Sequence, residues 1–246
     1  MLTIILHGSS TLTYIFRRLD VSEYGAVNSI KILPSEDEDQ FMLSGHDEGQ
    51  IIVWKIQSPS SIVMRKIVNP FLNITWCIDF NSKFIVACSE NSKIIVYRSR
   101  VLINQNESML GRFLKHHTAA VTCVNLSDDI LVSGSRDKTV IIWRDVTREE
   151  EEGASFTMIR VMTGHEEILH YVFQDEDKIY SSDDGGELFI WDKRHAVSSD
   201  CDDDDLVLRR VDYGEERGAI DCIKMIGSKL FLSYDDFGCI AIQDYW

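Results

Sequence analysis

A short pattern that recurs five times constrains the fold of this chain more than any other feature of its sequence. Each copy begins at a small or apolar residue, turns through polar residues and ends in a run rich in β-branched and aromatic residues. The five copies are Ser44 to Trp54, Ala87 to Tyr97, Ser133 to Trp143, Ser181 to Trp191 and Ser233 to Gln243. Their last residues lie 43, 46, 48 and 52 positions apart, so one hairpin recurs at a nearly regular interval.

A period of this length with one β-hairpin per repeat is typical of the blades of a β-propeller. Within the third copy, residues 130–135 and 139–143 have the composition of strands and flank a turn at residues 136–138. We therefore predict an all-β propeller that forms one domain over residues 1–246, with five clear blades whose repeats end near residues 54, 97, 143, 191 and 243. Residues 1–18 predict a partial blade that ends near Phe16, so the ring is six-bladed or an incomplete seven-bladed one.

The third copy also carries polar and aromatic residues at distinctive spacings. His117 precedes Trp143 by 26 residues, and Ser133 and Asp137 lie between them. This pattern resembles the WD40 repeat family. The resemblance implies that Asp137 orients His117, which bonds Ser133, and that Ser133 accepts a hydrogen bond from the Trp143 indole. Such a set satisfies each buried polar group, so the resemblance assigns it a structural role rather than catalysis.

The other copies match this pattern less completely. The fourth keeps His165, Ser181 and Trp191, with His165 again 26 residues before its tryptophan, but its acidic turn is shifted by one place. The first keeps Ser44 and Trp54 without a histidine in the loop before it, and the second and fifth end in residues other than tryptophan. We expect the complete set in the third copy alone, with the other blades held by strand pairing and apolar packing.

The net charge of −15 narrows the classes of partner. It disfavours nucleic acid and anionic membranes, because both are bound through lysine and arginine, and it favours basic surfaces. No stretch approaches the roughly 18 apolar residues of a membrane span, and the first residues lack the basic leader of a secretory signal. We therefore expect a cytoplasmic and/or nuclear protein that binds no membrane.

The residue types that hold metals or cofactors are present without the corresponding motifs. The six cysteines form no CxxC pair, and three of them, Cys77, Cys123 and Cys222, fall at equivalent points of successive repeats. We interpret these three as small hydrophobic residues on a buried strand, which implies a reducing compartment. The histidines form no HExxH motif, and GxGxxG, GKS, GKT and GxSxG are absent. No metal site, cofactor or catalytic residue is predicted.

The WD40 resemblance also implies where such a ring binds. The short turns before the closing strands and the loops that lead into the first strands form one rim. The turns supply Asp47, Glu48, Glu90, Arg136, Asp183, Asp184, Asp235 and Asp236. The leading loops supply Trp76, Thr118, Glu166 and Arg217. Seven of the eight turn residues are acidic, which favours a basic peptide or protein partner, with Trp76 as an aromatic anchor; the alternative is a merely solvated rim.

A non-catalytic interaction scaffold is the function that this rim favours. Two finer resemblances suggest an alternative, the substrate-recognition subunit of a cullin-type ubiquitin ligase. Residues 121–140 are similar to the propellers of F-box proteins, and Trp191, Asp192 and Arg194 resemble the WDxR end of a box by which other WD40 proteins dock on a ligase adaptor. A propeller-fold enzyme is the alternative from another class.

Three acidic linkers, at residues 35–39, 149–152 and 198–205, predict solvated loops. A sharper hypothesis concerns Ser199, which is followed by Asp202 and further acidic residues and resembles an acidophilic kinase site. Phosphate would add negative charge to this loop. We expect treatment with such a kinase to add the mass of a phosphate to this peptide, and an unchanged peptide mass would remove the hypothesis.

Overall fold

The computed structural model describes residues 2–7, 14–19, 21–33, 40–58, 61–100, 110–149, 151, 153–198, 206–212, 218–226, 229–234 and 240–244. Most regular structure in these residues is β-strand. The first two strands, β1 (Leu2–His7) and β2 (Tyr14–Leu19), form a hairpin that pairs with no other strand of the described residues. In the same part of the chain, no helix has the length and apolar character needed to cross a membrane.

Five antiparallel sheets follow in chain order, and we number them as blades 1 to 5. Blade 1 consists of β3 (Val27–Leu33), β4 (Gln40–His46), β5 (Ile51–Ser58) and β6 (Ser61–Val68). Blade 2 consists of β7 (Thr75–Phe80), β8 (Phe84–Ser89), β9 (Lys93–Arg98) and β10 (Arg112–Lys115). Blade 3 consists of β11 (Val121–Ser127), β12 (Ile130–Ser135), β13 (Val140–Asp145) and β14 (Phe156–Met162).

Blade 4 consists of β15 (Leu169–Gln174), β16 (Lys178–Asp183), β17 (Glu187–Asp192) and β18 (Val207–Asp212), with a short helix α1 (Lys193–Ala196) after its third strand. Blade 5 has three strands among the described residues: β19 (Ile220–Ile226), β20 (Lys229–Tyr234) and β21 (Ile240–Asp244). In every blade the strands pair in sequence order, so each blade is an antiparallel meander.

The apolar core lies mainly between neighbouring blades. The first strands of successive blades contact one another, which gathers β3, β7, β11, β15 and β19 at the centre. Four buried clusters each combine residues from two consecutive blades; the cluster between blades 2 and 3, for example, contains Val86, Val96, Val124 and Leu131. Sheets arranged in this way form a β-propeller, so the all-β propeller predicted from the repeat is confirmed.

A chain of polar side chains joins the first strands of blades 1 to 4. Asp79 on β7 accepts hydrogen bonds from the Leu126 backbone N–H (2.8 Å) and the Asn125 amide (3.1 Å) on β11. Its other oxygen lies 3.2 Å from the Lys31 ammonium on β3. Asn125 in turn accepts from the backbone N–H of Gln174 on β15 at 3.0 Å. These contacts fix the relative height of four blades, which apolar packing alone does not specify.

The register of blade 5 corrects one boundary of the repeat. In blades 1 to 4, Ser44, Ala87, Ser133 and Ser181 pair with Ile30, Ile78, Val124 and Val172 of the first strands. In blade 5 the corresponding pair is Ile223 and Leu232, whereas Ser233 pairs with Cys222. The predicted start of the fifth copy at Ser233 was therefore wrong by one residue, although Gln243 pairs with Leu230 as Trp143 pairs with Leu131. A buried leucine stands where the other copies have serine or alanine.

In blades 2 and 3, the preceding blade covers one face of the sheet. The equivalent face of blade 1 is only partly covered by other described residues. Ile30 and Ile32 on β3 are 40% and 46% exposed. The residues equivalent to Ile30 in blades 2 and 3, Ile78 and Val124, are 0% and 3% exposed because the preceding blade covers them. The choice between a six-bladed and a seven-bladed ring stays a prediction.

We expect Asp79→Ala to destabilise the protein by about 2 kcal/mol, because it leaves one buried and one partly buried donor without their acceptor. Urea denaturation of the full chain measures this loss. Glu176→Ala, which removes a carboxylate from an exposed turn, is the control and is expected to leave the transition midpoint unchanged. Equal stability of the unaltered protein and both variants would show that the contacts of Asp79 with the neighbouring blades contribute nothing to the free energy of unfolding.

Candidate functional site

The third blade contains a closed hydrogen-bond relay inside the fold. His117, in the loop before β11, lies 2.9 Å through Nδ1 from Asp137 Oδ2 and 2.8 Å through Nε2 from Ser133 Oγ. The Trp143 indole N–H donates to the same Ser133 oxygen at 2.9 Å. This network assigns the proton of a neutral imidazole to Nδ1, which donates to Asp137, while the Ser133 hydroxyl donates to Nε2. Every polar atom of the relay is thereby paired.

Asp137 is the charged end of this relay. It also accepts hydrogen bonds from the Thr118 backbone N–H at 2.8 Å and from the Thr139 hydroxyl at 2.6 Å. Burial opposes its charge, but the hydrogen bonds from His117 and Thr139 outweigh burial and hold the pKa of Asp137 well below its ordinary value. A carboxyl with a depressed folded-state pKa contributes stability that is present above its unfolded pKa of about 4 and is lost as the pH falls below it.

The fourth blade has an equally complete relay. His165 lies 2.7 Å through Nδ1 from Asp183 Oδ2 and 2.7 Å through Nε2 from Ser181 Oγ. The Trp191 indole donates to Ser181 at 2.8 Å. The expectation that only the third copy is complete was therefore wrong. Asp183 ends β16 two residues after the serine, whereas Asp137 follows its serine by four, so alignment of the repeats does not reveal the equivalence.

The first blade supplies its histidine from within the strand. Ser44 Oγ lies 2.9 Å from His46 Nε2 and accepts from the Trp54 indole at 2.8 Å. The Tyr24 ring packs edge-on against His46, with ring centres 5.9 Å apart. Burial lowers the pKa of His46, which keeps the imidazole neutral. Sequence reasoning looked for a histidine before the repeat, but residues two apart on a strand share a face, and the Ser-x-His spacing was the available signal.

Blades 2 and 5 show no such relay among their described residues. Ala87 and Leu232 stand at the serine position, and both are fully buried. Tyr97 replaces the tryptophan in blade 2, and burial raises the pKa of its hydroxyl. These two blades rely on the apolar clusters that they share with their neighbours.

The relays combine serine, histidine and aspartate, yet their geometry prevents nucleophilic catalysis. A serine nucleophile must reach the substrate with its oxygen. Ser133 and Ser181 are 0% exposed, and each hydroxyl oxygen already accepts an indole N–H. Among the described residues, no group of three or more His, Cys, Asp or Glu is arranged to hold a metal ion.

Several predicted rim residues have partners inside the protein. The prediction that Asp183 lies on the rim is wrong, because this residue is 1% exposed and belongs to the relay of blade 4. Asp47 accepts from the Ala26 backbone N–H at 3.1 Å and the Asn28 amide at 2.9 Å, which shapes the loop before β3. Glu48, Thr118, Glu166 and Asp184 are exposed. Arg217, Asp235 and Asp236 lie outside the described residues.

Three of the predicted rim residues come together, and we call them the Trp76 cluster: Trp76, Glu90 and Arg136. Trp76 sits at a bulge of β7, and its indole N–H donates to Glu90 at 2.6 Å. Arg136, from blade 3, lies 3.3 Å from Glu90 and places its guanidinium 5.4 Å from the centre of the Trp76 ring. The half-buried indole is thus held by its hydrogen bond to Glu90 and its cation–π contact with Arg136, and the ion pair between Glu90 and Arg136 connects the two blades.

A second group on the same side of the ring is acidic. We call it the acidic sector, and it consists of Glu166, Glu167, Asp184 and Asp221. His170 lies between its members, 3.1 Å from Asp184 and 3.7 Å from Asp221. A neighbouring cavity of about 340 Å³ is lined in part by Glu166, Glu167 and Arg210. Arg210 pairs with Glu187 at 2.5 Å and lies 3.9 Å from Glu166, and the four carboxylates of the sector are exposed.

The predicted ligase-docking residues divide between core and surface. Trp191 is buried in the fourth relay, and Asp192 caps α1 by accepting from the His195 backbone N–H at 3.0 Å. Arg194 is 75% exposed along its side chain and pairs with Asp177 at 2.5 Å. Ser199, the predicted phosphorylation site, lies outside the described residues.

The repeated cysteines are less uniform than their positions predicted. Cys123 is buried, Cys77 is half-buried and Cys222 is exposed. The interpretation as a buried hydrophobic residue was therefore wrong for Cys222. Blade 5 leaves this part of its first strand more open than the preceding blades do.

The adjacent residues Asp183 and Asp184 test whether an acidic residue belongs to the relay or to the rim. We expect Asp183→Asn to lower the free energy of unfolding by about 2 kcal/mol. His165 and the Glu187 backbone N–H bind different oxygens of the Asp183 carboxylate, and an amide has only one oxygen to accept from them. Asp184→Asn is expected to cost less than about 0.5 kcal/mol, since it removes only an exposed pair. Urea denaturation compares the two variants, and similar losses would contradict the assignment.

Comparison with known proteins agrees with this architecture. The WD40 family model (WD domain, G-beta repeat) matches residues 108–144, which include the third relay. The crystal structure of RRP9 WD40 repeats is 16% identical, has a TM-score of 0.64, and matches over 98% of this chain and 63% of that chain. The structure of U3-55K is 15% identical, has a TM-score of 0.66, and matches over 98% of this chain and 64% of that chain.

This chain therefore spans less than two thirds of the length of either solved chain. Among curated proteins, no sequence matches it with significance. At these identities, the similarity to solved structures concerns the fold alone. Together with the matched repeat, it identifies the fold as a β-propeller of the WD40 type.

Proposed function

We propose that the chain is a non-catalytic interaction scaffold that binds a basic protein or peptide through its rim, with the Trp76 cluster as the anchor. The observation that carries this proposal is the half-buried Trp76 indole, which Glu90 and Arg136 hold in one orientation. Tryptophan and arginine are the residue types most enriched at energetic hot spots. A side chain that is already fixed loses little conformational entropy when a partner covers it.

The charge of the rim supports a basic partner. The acidic sector presents four carboxylates on the same side as the Trp76 cluster, and the whole chain carries −15. Such a field accelerates association with positively charged surfaces and disfavours nucleic acid and anionic membranes. The residues of the acidic sector are all exposed, whereas Asp183 is buried and Asp47 and Glu90 are only partly exposed, so basic groups of the partner are expected to meet the acidic sector rather than the whole rim.

A substrate-recognition role in a cullin-type ligase is the second candidate, and the exposure of Arg194 favours it. In this case Arg194 would dock on the ligase adaptor while the rim holds the substrate. Trp191 and Asp192 would act indirectly, because one fills the blade and the other caps α1. Either role agrees with a location in the cytoplasm or nucleus.

Affinity purification of the full chain, with mass spectrometry of the co-purified proteins, tests the proposal. We expect Trp76→Ala to weaken the retained complex at least about tenfold, the loss of a typical hot spot. Phe113→Ala is the matched control, because Phe113 is also a partly exposed aromatic ring with a cation over it, Lys93 at 5.5 Å, but lies on β10. It is expected to retain the complex.

Two further variants separate the candidate functions. Charge reversal at Glu166 and Asp184 is expected to slow association and to reduce its dependence on salt. Arg194→Ala is expected to release cullin-ligase subunits only if the second candidate is correct. Binding that survives both Trp76→Ala and the charge reversal would overturn the rim proposal.

A further inference from the structure

Blade 2 contains a pair of cysteines that face each other across two strands. Cys77 on β7 and Cys88 on β8 are register partners next to the bulge that carries Trp76. The Cys77 thiol lies 3.6 Å from the Val124 carbonyl of the next blade. Both are free thiols.

The corresponding pairs of the other blades contain no second cysteine. They are Ser29 with Gly45, Cys123 with Gly134, Tyr171 with Ser182, and Cys222 with Ser233. The second member is small wherever the next blade packs closely: a methyl group on Gly134 would come within 2.7 Å of Cys123 Sγ. A serine or a glycine fills this place in the other blades, whereas blade 2 places a buried sulfur here, at the edge of the apolar cluster between blades 2 and 3.

The backbone already has the separation that a disulfide requires. Directly opposed residues of antiparallel strands have Cα atoms about 4.5 to 5.5 Å apart. Disulfide-linked cysteines have Cα atoms roughly 4.4 to 6.8 Å apart. Cys77 and Cys88 can consequently be joined by side-chain rotation, without a movement of β7 relative to β8.

The two thiols differ in reactivity. The neighbouring Cys88 side chain lowers the pKa of Cys77, whereas burial raises the pKa of Cys88. Cys77 is half-buried and Cys88 is fully buried, so an oxidant in solution meets Cys77 first. A thiolate is the nucleophilic form of cysteine, which makes Cys77 the attacking group and Cys88 the resolving one.

We propose that Cys77 and Cys88 are a redox modification site that a hydroperoxide converts into a cross-strand disulfide. The Cys77 thiolate attacks one oxygen of hydrogen peroxide, the O–O bond breaks, and a sulfenic acid and hydroxide form. The Cys88 sulfur then attacks the Cys77 sulfur and displaces the sulfenic oxygen as water. In total, two thiols and one hydrogen peroxide give one disulfide and two waters, and a dithiol reductant reverses the change.

The disulfide would form immediately beside the Trp76 cluster. Trp76 precedes Cys77 in the chain, and Glu90 follows Cys88 by two residues. A covalent link at this point would restrain the bulge that presents the indole. An effect on partner binding rests on the proposed function, whereas formation of the disulfide does not.

Peptide mapping of the full reduced chain after treatment with stoichiometric hydrogen peroxide tests the site. Free thiols are blocked with N-ethylmaleimide, and trypsin cleavage after Lys66, Lys83 and Lys93 leaves Cys77 in residues 67–83 and Cys88 in residues 84–93. We expect these two peptides to appear joined, with the loss of two hydrogens, and to separate on treatment with dithiothreitol.

The variants follow substitutions that the chain itself tolerates at equivalent places. Cys77→Ser copies Ser29 and Cys88→Ser copies Ser182, so both are expected to fold and to lose the linked peptide. Cys222→Ser, at the equivalent position of blade 5, is the control and is expected to keep it. Oxidation of Cys77 to sulfinic acid without linkage, its linkage to a different cysteine, or no reaction of Cys77 would each overturn the proposal, whatever the rim binds.

Discussion

The hydrogen bond from a tryptophan indole to a buried serine hydroxyl is the interaction on which three of the five blades depend. It joins the second and third strands of blades 1, 3 and 4 at Trp54, Trp143 and Trp191. The serine oxygen has no access to water there, so a histidine accepts its proton, and in blades 3 and 4 an aspartate accepts the proton on the other histidine nitrogen. The serine, histidine and aspartate of the relays, residue types that hydrolases use for catalysis, therefore stabilise the blade here.

Contacts between blades impose the second constraint. Apolar clusters fill the space between neighbouring sheets, while Asp79, Asn125 and Gln174 fix the height of one blade against the next. With the interior used in this way, chemistry that is available to other molecules remains at the surface. The Trp76 cluster and the acidic sector lie where the first strands and their turns reach the rim, and the half-buried Cys77 directly follows Trp76 in the chain.

The fold was predictable because the period and the closing aromatic residues are properties of the sequence alone. The relays were predictable only where each partner kept its usual offset, as in blade 3. Asp183 and His46 reach equivalent points in space from other offsets, and Leu232 lies opposite Ile223, at the position that serine holds in blades 1, 3 and 4. The number of rim carboxylates open to a partner was overestimated for a related reason. A sequence shows that Asp47 and Asp183 are charged, but not that backbone and histidine donors already bind them.

Hydrogen exchange of the indole N–H groups, followed by NMR spectroscopy of the folded chain, measures directly whether the relays are structural. If they are, the indole protons of Trp54, Trp143 and Trp191 exchange only when their blades unfold, and all three are strongly protected. The indole proton of Trp76, whose acceptor Glu90 is partly exposed, exchanges much faster. Exchange of any of the three relay indoles as fast as that of Trp76 would contradict the central claim.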